Sequence, residues 1–191
     1  MSASGAVTDP YKTNGIDELA GRAAATTMEA SAASGDWDVF KFKLSALLND
    51  AIYRGDAAGV DALLSTNDFI NSGGNEHNAR PLHRAAQKQD YKTVLKLLDA
   101  GADPNAQDSV LNTPLYWAIH KVTRTKEGKD TAAGIATLLL DRGANPNLAS
   151  TYLDFPLYDA ILCFRKGPKL LTLVENLLKK GADPNSVNES G

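Results

Sequence analysis

The side chains best suited to acid–base or nucleophilic chemistry near neutral pH include three histidines and one cysteine in this sequence. His77, His83 and His120 lie in different segments and form no metal-ligand cluster. His120 and Cys163 fall near the ends of predicted helices in neighbouring segments, where a thiolate and a general base could meet. Because the sequence offers no group that would orient the base, an ordinary surface histidine and a packed cysteine are the preferred interpretation.

Short catalytic motifs are absent. The sequence has no phosphate loop, no dinucleotide-binding glycine pattern, no serine nucleophile elbow and no zinc-protease motif. Gly128-Lys129 comes nearest to a phosphate loop, but Asp130 follows it and the preceding glycine is missing. We therefore predict no catalytic residues, no cofactor and no metal, and we predict that the protein is not an enzyme.

The composition of the 191 residues is typical of a water-soluble globular protein, with 43% hydrophobic and 23% charged residues. A net charge of -3 argues against nucleic acid as the main partner of the whole chain. No apolar stretch approaches the roughly 20 residues that a membrane helix needs, and no secretory signal pattern is visible. A single cysteine cannot form an intrachain disulfide, which permits a reducing compartment, and we expect a cytoplasmic location.

The N-terminal segment, residues 1–35, is rich in small residues and is predicted to be flexible or partly helical. A firmer helix is predicted to begin at Asp36, whose side chain suits an N-cap. Its apolar face is expected to consist of Phe40, Leu44, Leu47 and Ala51.

Two short motifs then recur three times. The first reads Pro-Leu, then two variable residues, then Ala-Ala or Ala-Ile, and it begins at Pro81, Pro114 and Pro156. The second reads Gly-Ala-Asp/Asn-Pro-Asn and begins at Gly101, Gly143 and Gly181. Proline fits the first turn of a helix, and glycine suits the left-handed residue that ends one. Each copy therefore predicts two helices followed by a polar finger, and stacking of copies must supply the core.

With three copies of both motifs, residues 44–191 resemble the ankyrin-repeat family, whose unit has about 33 residues and a Thr-Pro-Leu-His-x-Ala signature. The resemblance implies an all-α solenoid of about four stacked helix-turn-helix repeats with hairpin-like fingers. We expect one repeat domain at 36–191. It would comprise a degenerate cap at about 36–75 and repeats at about 76–108, 109–150 and 151–191.

The spacing of the motifs locates two insertions. Relative to the first complete repeat, the second carries 9 extra residues and the third carries 5, and both insertions fall between the two helices of a repeat. Together they form a basic patch of Lys121, Arg124, Lys126, Lys129, Arg165, Lys166 and Lys169. A solvated flexible loop is the plainer interpretation, and a docking site for an acidic partner or a polyanion is the alternative.

The resemblance also implies where a partner protein would bind, namely the groove between the finger tips and the exposed face of the first helices. Trp117 and Tyr152 are expected near its centre, although Trp117 could instead pack between repeats. The predicted interface residues are Arg84, Gln87, Lys88, Asp108, Val110, Asn112, Trp117, His120, Tyr152, Asp154 and Asp159.

The function implied by the resemblance is a protein-interaction module that binds, masks or inhibits a partner through this groove. The chain looks like compact bacterial ankyrin proteins, some of which are inhibitors (immunity proteins) of toxins and some effectors delivered into host cells. Secretion without a signal peptide is therefore an alternative location. Binding of nucleic acid or another polyanion by the basic patch is a further hypothesis.

The C-terminal end of the predicted array looks open. The helix at 170–178 is apolar on its faces, whereas a finished capping repeat presents polar residues outward. The next repeat's proline would be expected about three residues past Gly191. We expect either further repeats at this end or packing of the bare face against a partner or a second copy.

Overall fold

The computed structural model describes Thr26 and residues 36–65, 69–73, 77–120, 126–152, 154–164 and 168–186, so the rest of the segment 1–35 lies outside the described residues. The described part contains eight helices and no strand. They are α1 (Trp37–Arg54), α2 (Ala57–Leu64), α3 (Pro81–Gln87), α4 (Tyr91–Asp99), α5 (Pro114–His120), α6 (Lys126–Asp141), α7 (Pro156–Phe164) and α8 (Pro168–Lys179). The helices form pairs, and each helix packs on its counterpart in the next pair. The predicted all-α solenoid is confirmed.

The first helix begins where the sequence predicts. The Asp36 carboxylate accepts a hydrogen bond from the Val39 amide (3.1 Å), which caps α1. Phe40, Leu44 and Leu48 are buried along one face of the helix. At 18 residues, α1 is longer than the first helices of the later pairs, which have 7 or 9 residues.

The recurring proline and glycine act as punctuation in every complete repeat. Pro81, Pro114 and Pro156 open α3, α5 and α7. After each second helix, the motif glycine takes a left-handed conformation, with φ between 89° and 91°. Residues with a side chain adopt this conformation at a cost, which explains why the turn uses glycine.

Asparagines tie consecutive repeats together. Asn105 donates through Nδ2 to the Gly143 carbonyl (3.0 Å) and accepts through Oδ1 from the backbone amide of Asn145 (2.6 Å). Asn71 and Asn147 make the same two bonds to their own next repeats. We call this series the asparagine ladder. Asn185 occupies the same motif position, and its side chain has no hydrogen-bond partner among the residues described.

Longer helices absorb most of the two insertions. α6 has 16 residues where α4 has 9, so seven of the nine extra residues are helical. In the third repeat, α7 and α8 are longer than α3 and α4 by two and three residues, which accounts for all five.

The basic patch is consequently not a pair of long loops, and the loop interpretation is wrong for its helical members. Lys126 and Lys129 belong to the first turn of α6. Lys169 lies in α8, but its side chain and that of Lys126 are outside the description. Lys121, Arg124, Arg165 and Lys166 lie outside the described residues altogether. The patch as a binding site therefore stays a prediction.

The last helix pair exposes a face that the next pair covers elsewhere in the stack. Leu98 and Leu140 precede their motif glycines by three residues and are 9% and 2% exposed, whereas the equivalent Leu178 is 44% exposed. Ile161 is 51% exposed, whereas Ile119 at the same position of α5 is fully buried. The apolar end face expected from the sequence is present.

Candidate functional site

A buried carboxylate shapes the finger between α4 and α5. The Asp108 Oδ1 accepts from the backbone amides of Val110 (3.0 Å) and Asn112 (2.9 Å). Its Oδ2 accepts from the indole Nε1 of Trp117 (3.0 Å) and from the side-chain amide of Asn112 (3.3 Å). Asp108 and Asn112 are only 6% and 7% exposed, so the expectation that they face a partner is replaced by a structural role.

Trp117 packs against the core and also lines a cleft. Its side chain is half-buried against the core, and its ring meets the Tyr116 ring edge to face at 5.6 Å. The hydrogen bond to Asp108 fixes the direction of the indole. The ring thus packs on one side and lines a cleft on the other, and its contact with a partner stays a prediction.

That cleft has a volume of about 330 Å³ and lies between α3, α5 and the finger that Asp108 shapes. Arg84 and Gln87 line it from α3, Trp117 lines it from α5, and Val110 lines it from the finger. The buried His83 and Asp108 also contribute to its wall.

His83 holds the adjoining backbone and is not available as a catalytic base. Its Nδ1 accepts from the Arg80 amide (3.1 Å), so its Nε2 carries the proton and faces the carbonyls of Ala106 (3.0 Å) and Asn112 (3.1 Å). Burial lowers the pKa of His83 below its ordinary value of 6.5, partly offset by the nearby Asp108 carboxylate. The side chain is therefore a neutral structural bridge between a first helix and two fingers.

A second feature of the groove is a pair of cations over a tyrosine. Tyr53, at the end of α1, is 60% exposed, with Lys88 Nζ 4.8 Å and the Arg84 guanidinium carbon 5.7 Å from its ring centre. Arg84 also donates through Nη1 to Gln87 Oε1 (2.8 Å). Tyr53 was not predicted from the sequence, although an alignment of Ala51-Ile52 with Ala85-Ala86 gives it the repeat position of Gln87.

The finger between α6 and α7 lies beside the finger that Asp108 shapes. Val110 and Tyr152 occupy equivalent positions in consecutive fingers, and both side chains are exposed. Thr151 donates to the Val110 carbonyl through its amide (3.1 Å) and its hydroxyl (2.8 Å), which ties the two fingers together. We define the groove cluster as Tyr53, Arg84, Lys88, Val110, Trp117 and Tyr152.

Most of the other predicted interface residues remain accessible. His120 is exposed, and Gln87 and Asp154 are half-buried. Asp159 is an exception at 4% exposure, so its predicted contact with a partner is corrected to an internal position. His120 stacks on Tyr116 with ring centres 4.7 Å apart, and its Nδ1 lies 3.6 Å from Asp159 Oδ2.

The suggested His120–Cys163 pair stays a prediction, because only the Nδ1 side of His120, near the Asp159 carboxylate, is placed and nothing describes its Nε2 relative to the thiol. The Cys163 side chain itself is outside the description. Among the described residues, no group of three or more His, Cys, Asp or Glu side chains is arranged to hold a metal ion. No helix in that part of the chain is long and apolar enough to span a membrane.

Comparison with known proteins agrees with the repeat geometry. The family model described as "Ankyrin repeats (3 copies)" matches residues 23–108, and the model described as "Ankyrin repeat" matches residues 111–151. A search of curated proteins gave no match. The two family matches cover about two thirds of the sequence, and the helix pairs, left-handed glycines and asparagine ladder recur at the spacing that these repeats require. The chain belongs to the ankyrin-repeat family.

Proposed function

We propose that this protein is a non-catalytic binding module whose groove cluster grips a partner protein and masks part of that partner's surface. Ankyrin repeats generally serve as protein–protein interaction modules. The observation that carries the proposal is the cleft beside Trp117, bordered by an exposed valine and flanked by an exposed tyrosine on the next finger. Trp, Tyr and Arg are the residue types that most often dominate binding energy at protein interfaces.

Preorganisation supports the same assignment. The Asp108 carboxylate holds both the finger backbone and the Trp117 ring before any partner arrives. Because immobilising a side chain costs about 0.5–1.5 kcal/mol on binding, a ring that is already fixed retains more of its contact energy. The Thr151 bonds to Val110 fix the relative position of the two fingers in the same way.

The groove proposal is tested by comparing what three immobilised proteins capture from native extract: the wild type, a Val110→Ser/Tyr152→Ala variant and a Tyr91→Ala variant. Tyr91 is an exposed tyrosine on α4, away from the fingers, and is the matched control. Thermal unfolding of each variant shows that the fold persists. We expect a protein that the wild type and Tyr91→Ala retain and the double variant loses. Equal retention of the captured protein by all three would place binding elsewhere.

Masking is tested once the partner is in hand. Titrating the partner's own activity with this protein should bring that activity to a plateau near zero at equimolar ratio. Unchanged partner activity in the saturated complex would contradict masking and leave binding in place.

A further inference from the structure

From the same groove we infer the chemistry of what it binds: a short partner segment that carries a carboxylate next to a large apolar side chain. The carboxylate pairs with Arg84 and Lys88, and the apolar side chain enters the cleft beside Trp117. This inference rests on the proposed function and names the kind of partner.

Arg84 and Lys88 are two cations that share one aromatic ring and have no acidic partner among the described residues. Several other surface bases have acidic partners, including Arg54 with Asp50 (2.8 Å), Arg142 with Asp99 (2.7 Å), Lys180 with Asp141 (2.9 Å) and Lys96 with Asp61. Within the described part of the chain, neither Arg84 nor Lys88 contacts an acidic side chain. The buried Nε of Arg84 also lacks an acceptor there.

Arg84 and Lys88 also repel each other. They lie four residues apart at the end of α3, a spacing at which like charges on a helix repel. Both cations lie over the Tyr53 ring, which attracts them but does not neutralise their charges. An incoming carboxylate would relieve this repulsion and satisfy guanidinium donors, so the fold is locally complementary to an acid although the whole chain is acidic at -3.

The neighbouring cleft has the size and the walls to hold a large apolar side chain. Its volume of about 330 Å³ is at the small end of the range for ligand sites, about 300–1,000 Å³, and suits a large side chain of a peptide. Val110 and Trp117 give it apolar walls, and the Asp108 oxygens in the wall are already engaged with finger and indole donors. Because Arg84 lines the cleft as well, the acidic and apolar groups of the ligand must be close together.

A nucleic-acid strand fits these observations less well. Strand binding needs a row of cations that follows successive phosphates, with aromatic rings on which the bases stack. The described groove offers two adjacent cations, and the indole of Trp117 is half-buried and tethered to a carboxylate.

The test selects random linear peptides on the full chain by display, synthesises the enriched sequences, and measures their affinity by fluorescence polarisation. We expect enrichment of Asp or Glu beside Leu, Ile, Phe or Trp. Arg84→Gln/Lys88→Gln should weaken binding about tenfold or more, as should changing the acidic residue of the peptide to its amide. Lys88→Gln alone, at an exposed site, serves if the double variant is unstable. Lys92→Gln removes the same charge from an exposed position on α4 and should leave affinity unchanged.

The outcomes separate this inference from the proposed function. Enriched peptides that lose affinity with Val110→Ser/Tyr152→Ala, but show no acidic preference, would overturn the carboxylate and keep the groove. Peptides indifferent to both double variants, or no enriched peptides at all, would overturn recognition of a linear acidic segment, and the capture experiment would then judge the groove alone. Tighter binding of single-stranded poly(U), dependent on Arg84 and Lys88, would overturn the inference in favour of nucleic acid.

Discussion

Replacing Asn105 with alanine should loosen the junction between the first and second complete repeats without touching the core. The Asn105 side chain makes two hydrogen bonds to the next repeat, at 3.0 and 2.6 Å, and it lies half-buried at the surface, so the substitution opens no cavity in the core. A net contribution of about 0.5–1.5 kcal/mol per hydrogen bond predicts a loss of about 1–3 kcal/mol in the free energy of unfolding. Since repeats are stabilised mainly by contacts with their neighbours, the whole loss should fall on this junction.

Urea denaturation followed by circular dichroism measures the effect, and the chain supplies its own control. Asn185 occupies the same position of the same motif, but its side chain bonds to nothing in the described structure. Asn185→Ala should therefore change stability by no more than about 0.5 kcal/mol, as a simple surface substitution does. Equal effects of the two substitutions would refute the reasoning, because the loss would then reflect the turn itself and not a bond between repeats.

Three further predictions follow from particular contacts. The substitution Asp108→Ala removes a buried acceptor of four hydrogen bonds, so we expect the free energy of unfolding in urea to fall by about 3 kcal/mol and the Trp117 fluorescence to change. The substitution Asp108→Asn should lower the free energy of unfolding by less. Burial lowers the pKa of His83, so the unfolded chain binds this proton more readily than the folded chain. The free energy of unfolding should therefore fall as the pH drops below 6.5, by at most about 1.4 kcal/mol per pH unit. The substitution His83→Gln should flatten this dependence. The exposed Leu178 and Ile161 should cause self-association, which light scattering detects as the concentration rises. The substitution Leu178→Lys should abolish the self-association. A wild-type protein that stays monomeric would contradict this prediction.

The repeat architecture could be predicted from sequence because it depends on local backbone rules. Pro81 at a helix start and Gly101 in a left-handed turn follow from the conformational limits of each residue, whatever surrounds them. The insertions show the limit of this reasoning. Spacing located them between paired helices, but whether residues such as Lys126 extend a helix or form a loop depends on packing against the next repeat.

The groove was predicted less completely, for a different reason. Asp108 is a polar finger residue in the sequence, and only the fold reveals that Trp117 turns back to bond it and closes it from water. Tyr53 was missed because the N-terminal unit lacks the proline motif that registers the other repeats. Both cases involve side chains that meet across an interface between elements, which periodicity along one chain does not encode.

The central claim, that partners bind the groove cluster, is tested most directly by the two indole N–H signals in a ¹⁵N-edited NMR spectrum. The chain has two tryptophans: Trp117 in the groove and Trp37, 51% exposed, at the start of α1. Adding a selected acidic peptide or the captured partner should shift or broaden the Trp117 signal and leave that of Trp37 unchanged. A saturated complex in which Trp37 moves and Trp117 does not would contradict the account.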